Sequence, residues 1–259
     1  MADSPFTLTK WYLDCVTATG DAAIFYSAEI GWRGISLNCS SLLTANEAGV
    51  RSRVSMARAR LGGDAQRIEV SLRTMGMEGS WSSRGRPFRT TVYQCEGGLV
   101  DWNCLQPESN VCLRVGDTTL EGKGYAEWLT TTLAPWRLPM KQLRWGRFVS
   151  DRHSLVWIDW QGSHNTSFAV LDGRQCTLRK ASEEVILAEG VSLKLSERMP
   201  LRAGKLGTTV LRFAPRIKRL FPRSLASIEE HKWRSRGVLE CGDQVSNGWV
   251  IHEVVHWDQ

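Results

Sequence analysis

Residues 122–148, GKGYAEWLTTTLAPWRLPMKQLRWGRF, read as a strand, a proline-bounded bend and a second strand. Side chains on a strand alternate between its faces, so Tyr125, Glu127 and Leu129 share one face and Ala126, Trp128 and Thr130 the other. Gly122 and Gly124 straddle Lys123 where the strand begins, which permits a bulge or a close backbone approach. Pro135 and Pro139 bracket Trp136. Proline offers no N–H and holds an extended backbone, so APWRLP is a bend or an edge rather than a central strand. LRWGRF (143–148) then re-enters a sheet.

The same period of two runs through the chain. In RIEVSLRTMGM (67–77), Ile68, Val70 and Leu72 face one way and Arg67, Glu69, Ser71 and Arg73 the other. WYLDCV (11–16), AAIFYSAEIGW (22–32), RTTVYQCEG (89–97), LVDWNCLQP (99–107) and NVCLRVGD (110–117) continue it in the first half. SLVWIDWQG (154–162), SFAVLDGRQC (167–176), EEVILAEGVSLKLS (183–196), KWRSRGVLECG (232–242) and NGWVIHEVVHW (247–257) follow. Short strands punctuated by Gly, Pro and Asp predict an all-β sandwich or barrel. Only SLASIEEHKWR (224–234) reads as a short helix. Trp11 and Trp145 each begin a hairpin that ends near a further tryptophan, Trp32 and Trp160. This echo predicts two β units, 1–117 and 118–259, with a seam near Gly116–Gly122; chance likeness between hairpins is the competing explanation.

Composition narrows the function classes. Of 259 residues, 42% are hydrophobic and 23% charged, an ordinary globular balance. No apolar run is long enough for a membrane-spanning helix, and MADSPFTLTKWYLD lacks the basic and apolar regions of a secretory signal, so a cytoplasmic protein is expected. The seven cysteines are scattered without zinc spacing and read as reduced thiols. The net charge of +6 suits weak attraction to anions, but no nucleic-acid motif accompanies it. RFAPRIKRLFPR (212–223) interleaves basic and aromatic residues and suits peripheral contact with an anionic membrane, or equally a solvated loop. Nucleophile-elbow, P-loop, dinucleotide and zinc-protease motifs are all missing. No metal and no cofactor is therefore expected.

Three residues stand out as candidate catalysts. Glu127 lies between Tyr125 and Leu129, where an inward-facing carboxyl could deliver a proton; an ion pair with Arg137, Arg144 or Arg147 is the alternative. Asp159 sits between Trp157 and Trp160, as a second inward acid or a solvent-facing one. His252 is a candidate base or orienter, or a satisfied core histidine. His252 and His256 lie about 13 Å apart on a strand and cannot share a metal ion. The twelve tryptophans suit cores and ligand pockets alike.

The succession KWYLDCV…IFYSAEIGW, VDWNCLQP, LEGKGYAEW, PW…LRWGRF, VWIDWQG and GWVIHE resembles the hydroxyneurosporene synthase (carotenoid 1,2-hydratase) and AttH-like family. The resemblance spans Trp11 to Trp257, with the Gly-x-Gly-Tyr-x-acid strand as its most specific part. It implies two lipocalin-like antiparallel barrels in tandem, packed together. It also implies chemistry without a cofactor: an acid protonates an alkene of an apolar small-molecule ligand, and water traps the cation. Glu127 falls at the acidic position, where the hydratases usually carry aspartate. Asp159 or His252 would orient it or act as base, Tyr125, Trp128, Trp145 and Trp157 would wall the pocket, and Trp102 and Arg147 complete the candidate ligand-binding set. A binding protein for a lipid or isoprenoid is the other function expected of such a fold.

Overall fold

A computed structural model describes residues 6–32, 34–206 and 223–257. Two compact units follow one another, residues 1–134 and 135–259. Apart from two single-turn 3-10 segments and a short helix, Arg223–Ser227, the described elements are strands. No helix among the described residues is long and apolar enough to cross a membrane. Most of the basic segment 212–223 lies outside the described residues.

The first unit contains β1 (Thr7–Thr17), β2 (Ala22–Trp32), β3 (Ile35–Asn46), β4 (Gly49–Ser55), β5 (Arg60–Gly63), β6 (Arg67–Leu72), β7 (Met77–Ser83), β8 (Phe88–Cys95), β9 (Gly98–Val115) and β10 (Thr118–Thr131). They form one antiparallel sheet in the order β4-β3-β2-β1-β10-β9-β7-β6-β5, with β8 also paired to β9. The sheet curls round a core of Leu13, Phe25, Leu42, Val70, Trp81 and Leu113. The second unit contains β11 (Met140–Val149), β12 (Ser154–Gly162), β13 (Thr166–Leu171), β14 (Arg174–Cys176), β15 (Leu178–Ala181), β16 (Val185–Ala188), β17 (Val191–Lys205), β18 (Glu229–Cys241) and β19 (Gln244–His256). Their order, β14-β13-β12-β11-β19-β18-β17-β16-β15, repeats that of the first unit. In each, the opening strand pairs with both the second and the last, which draws the sheet towards closure. The architecture is all-β, with two tandem lipocalin-like antiparallel sheets.

Three expectations change. The seam lies at Ala134/Pro135, not near residue 117, because β10 pairs with β1 and β9 and so completes the first sheet. The bend that separates the units is the proline-bracketed 134–139 segment. LVDWNCLQP and NVCLRVGD are one strand, β9, in which Pro107 lies within the register shift against β10 between Gln106 and Ser109. A bulge leaves an N–H unpaired, so proline is tolerated there. The helix expected over 224–234 stops at Ser227; Glu230, Lys232 and Trp233 belong to β18, where pairing with β19 overrides helix propensity.

Candidate functional site

Glu127 lies on β10 with Tyr125, as the alternation requires, but on the face of the wall turned away from the barrel core. Its neighbour Ala126 belongs to that core. Glu127 is nevertheless buried, with 4% of its surface exposed. Two neutral donors converge on its Oε2. The Trp102 Nε1–H donates from β9 at 2.6 Å, and the Tyr125 hydroxyl donates from two residues upstream at 2.8 Å. Oε1 has no hydrogen-bond partner among the described residues. Among the described residues Glu127 makes these hydrogen bonds and no ion pair.

The register explains how this cluster assembles. Tyr12 of β1 pairs with Glu127, and Asp14 with Tyr125. On the other side Cys104 pairs with Glu127 and Trp102 with Leu129. Tyr12, Asp14, Trp102, Cys104, Tyr125 and Glu127 therefore share one buried face. The Tyr12 hydroxyl donates to Asp14 Oδ2 at 3.0 Å, and the Tyr12 and Tyr125 rings meet edge to face at 5.8 Å. Burial pushes the Cys104 thiol and the Tyr125 phenol above their usual ranges, so both stay neutral near pH 7. Gly124 lets the strands close up: a Cβ there would come within 2.2 Å of the Asp14 carbonyl oxygen. That same carbonyl accepts the Trp81 indole N–H at 2.8 Å.

Trp128 does not belong to the Glu127 face. It stacks on Trp11 at 5.8 Å on the inner side of the sheet, and its indole N–H has no partner among the described residues. A cavity of about 600 Å³ opens there, lined by Trp11, Thr9, Ser27, Glu29, Asn38 and Arg58.

The remaining candidates lie in the second unit. Trp157 is part of its core and lies across Gly146, where a Cβ would come within 2.2 Å of the indole ring. Asp159 is half-buried and accepts from the Gln161 amide at 2.9 Å. His252 is buried, shares a 2.9 Å hydrogen bond with Ser235, and stacks on Trp233 at 5.2 Å. Burial, then Arg198, Lys232 and Arg144, depress its pKa to about 3, so the ring is neutral. Arg147 is fully buried and donates to the Trp249 carbonyl at 3.1 Å. The Trp145 ring faces the Lys232 ammonium at 5.6 Å. The hydrogen bonds around Glu127 come from Trp102 and Tyr125 of its own sheet.

Sequence reasoning missed Asp14, Tyr12 and Cys104. The available signal was an acid alone in the apolar run WYLDCV, and alternation would have placed Tyr12 beside it.

No protein-family model and no curated protein sequence matches the chain. Solved structures do. CghA superposes with a TM-score of 0.64 at 11% identity, covering 98% of this chain and 89% of that one. An AttH-like protein of Nitrosomonas europaea gives 0.58 at 9% identity, covering 98% and 93%. Kievitone hydratase of Nectria haematococca gives 0.55 at 9% identity, covering 97% and 89%. These likenesses are of fold, over both units, and they agree with the AttH-like side of the sequence resemblance.

Proposed function

We propose that this chain is a hydratase-like enzyme that works by acid-initiated addition to, or rearrangement of, an apolar substrate of terpenoid or polyketide type, with no cofactor. Glu127 is the proton donor. The observation that carries this reading is the asymmetric solvation of its carboxyl group. A proton on Oε1 is free to leave towards an alkene carbon. The Trp102 and Tyr125 donors on Oε2 then stabilise the carboxylate charge as it forms. The aromatic groups of the same face, Tyr12, Tyr26 and Trp102, would stabilise the cation left on the substrate. The fold likeness to kievitone hydratase is in keeping with a hydratase-like activity. A carotenoid-type isoprenoid falls within the proposed substrate class.

The test uses geraniol and farnesol as probes in deuterium oxide, read by mass spectrometry. Wild-type protein is expected to place deuterium on the alkene carbon and to form an alcohol. Glu127→Gln, which keeps volume and both hydrogen bonds, should lower this by at least about 100-fold. Equal turnover by the variant would remove Glu127 as the acid.

A second reading, a non-catalytic carrier of a lipid or isoprenoid, is supported by the Trp11–Trp128 stack beside the cavity of about 600 Å³. It predicts that a long-chain isoprenoid quenches tryptophan fluorescence and is recovered unchanged.

A further inference from the structure

The Glu127 face contains a duplicated element. On β1 the sequence is Tyr12-x-Asp14, and on β10 it is Tyr125-x-Glu127. Each tyrosine donates its hydroxyl to the acid two residues further along its own strand, at 3.0 Å and 2.8 Å respectively. The strands run antiparallel, so each tyrosine is also directly opposite the other strand's acid. The result is a local twofold pattern in which two carboxyls occupy diagonal corners and two phenols the others. All four residues are at least 96% buried, on a face that shares no side chain with the barrel core. The corresponding positions of the second sheet, Trp145, Arg147, Ile251 and Glu253, carry no such pair, so the fold does not require it.

We propose that Asp14 is the second catalytic carboxyl of this site and takes the proton from the water that adds to the substrate. This rests on the reading of Glu127 as proton donor. Diagonal positions on neighbouring strands place α-carbons about 7–8 Å apart. That brings the two carboxyls to one substrate-sized patch, the arrangement in which one acid can protonate while the other activates water. The step balances as follows. The alkene π pair takes the proton from Glu127 Oε1 and forms a C–H bond, leaving a tertiary cation and a carboxylate. A water lone pair forms the C–O bond, and Asp14 accepts the proton released from that oxygen. Exchange with solvent returns a proton to Glu127 and removes one from Asp14, so the net change is addition of one water. The Tyr12 hydroxyl holds Asp14 in place, as Tyr125 does for Glu127.

The experiment runs geraniol and farnesol with wild type, Glu127→Gln, Asp14→Asn and Tyr12→Phe in deuterium oxide enriched in oxygen-18, with near-ultraviolet dichroism to verify folding. Asp14→Asn is expected to retain deuterium transfer to carbon, seen as labelled and isomerised alkene, while losing labelled alcohol by at least about 100-fold. Glu127→Gln should lose both products. Tyr12→Phe, which removes one hydroxyl and leaves the packing in place, should lower the ratio of alcohol to deuterated alkene several-fold, and it carries the test if Asp14→Asn does not fold. Wild-type alcohol yield from Asp14→Asn, or an unchanged ratio in Tyr12→Phe, overturns the role of Asp14 while Glu127 stands. A wild-type protein that labels neither probe removes both.

Discussion

The two units hold a glutamate differently at matching positions. β10 and β19 close their sheets in the same way, and in both a glutamate faces an aromatic residue of the opening strand. Glu127 pairs with Tyr12, and Glu253 with Trp145. On the other side the residues differ: Cys104 pairs with Glu127, and Lys232 with Glu253. Lys232 is fully buried and bridges Glu253 and Glu230, the latter at 3.5 Å, and Arg202 adds a second cation to Glu230. In the first unit a neutral thiol takes the place of the ammonium, and the carboxyl is held by an indole and a phenol. Glu253 is thus held in an ion network and Glu127 by uncharged donors, with Cys104 standing where the second sheet has Lys232 and Tyr125 where it has Ile251.

The largest effect expected from breaking this contrast is on stability. Lys232→Met should cost about 3–5 kcal/mol, because buried Glu230 and partly buried Glu253 would lose their shared cation, with only Arg202 left to Glu230. Urea unfolding followed by tryptophan fluorescence measures it. A cost under about 1 kcal/mol would show that the network does not depend on the ammonium.

A smaller effect concerns the neutral histidine of the second unit. His252 has a folded-state pKa lowered from 6.5 to about 3, so the unfolded chain binds more protons than the folded one between these values. Its contribution to stability is therefore complete above pH 6.5 and is lost as the pH falls towards 3. The expected loss approaches about 1.4 kcal/mol per pH unit within that window. His252→Asn should flatten the dependence between pH 6 and 4, measured as the shift of the urea midpoint. An equally steep profile in the variant would assign the loss to other groups.

The smallest effect tests the neutral side of the contrast. Trp102→Phe removes the 2.6 Å donor and keeps an aromatic ring. Product formation from the same probes should fall about tenfold, close to the worth of one hydrogen bond to a charged group, with little change in melting temperature. Unchanged turnover would mean that Trp102 packs against Glu127 without stabilising its charge.

Much of the fold was legible because a strand writes its two faces into the sequence. β2 and β12 coincide with the runs AAIFYSAEIGW and SLVWIDWQG, and Tyr125 and Glu127 share a face as read. The repeat of two units was also legible, though through the wrong landmarks. Trp11 and Trp145 are not equivalent: Tyr12 pairs with Glu127 as Trp145 pairs with Glu253, so Trp11 corresponds to Arg144. A slip of one residue reverses every side chain. Trp11 accordingly stacks on Trp128 on the inner side, and Trp145 is on the face with Lys232.

By itself the sequence determined what a single strand can decide: its period, the residues that share a face, and the break at APWRLP, because backbone sterics act within a few bonds. Only the tertiary structure decided which face met the core, that β10 completed the first sheet, that Trp102 reached Glu127 and that Tyr12 came opposite it. Those outcomes depend on pairing between strands distant in the chain. The hydrogen bonds of a sheet join any two extended backbones, and the partner is selected by the packing of the whole unit.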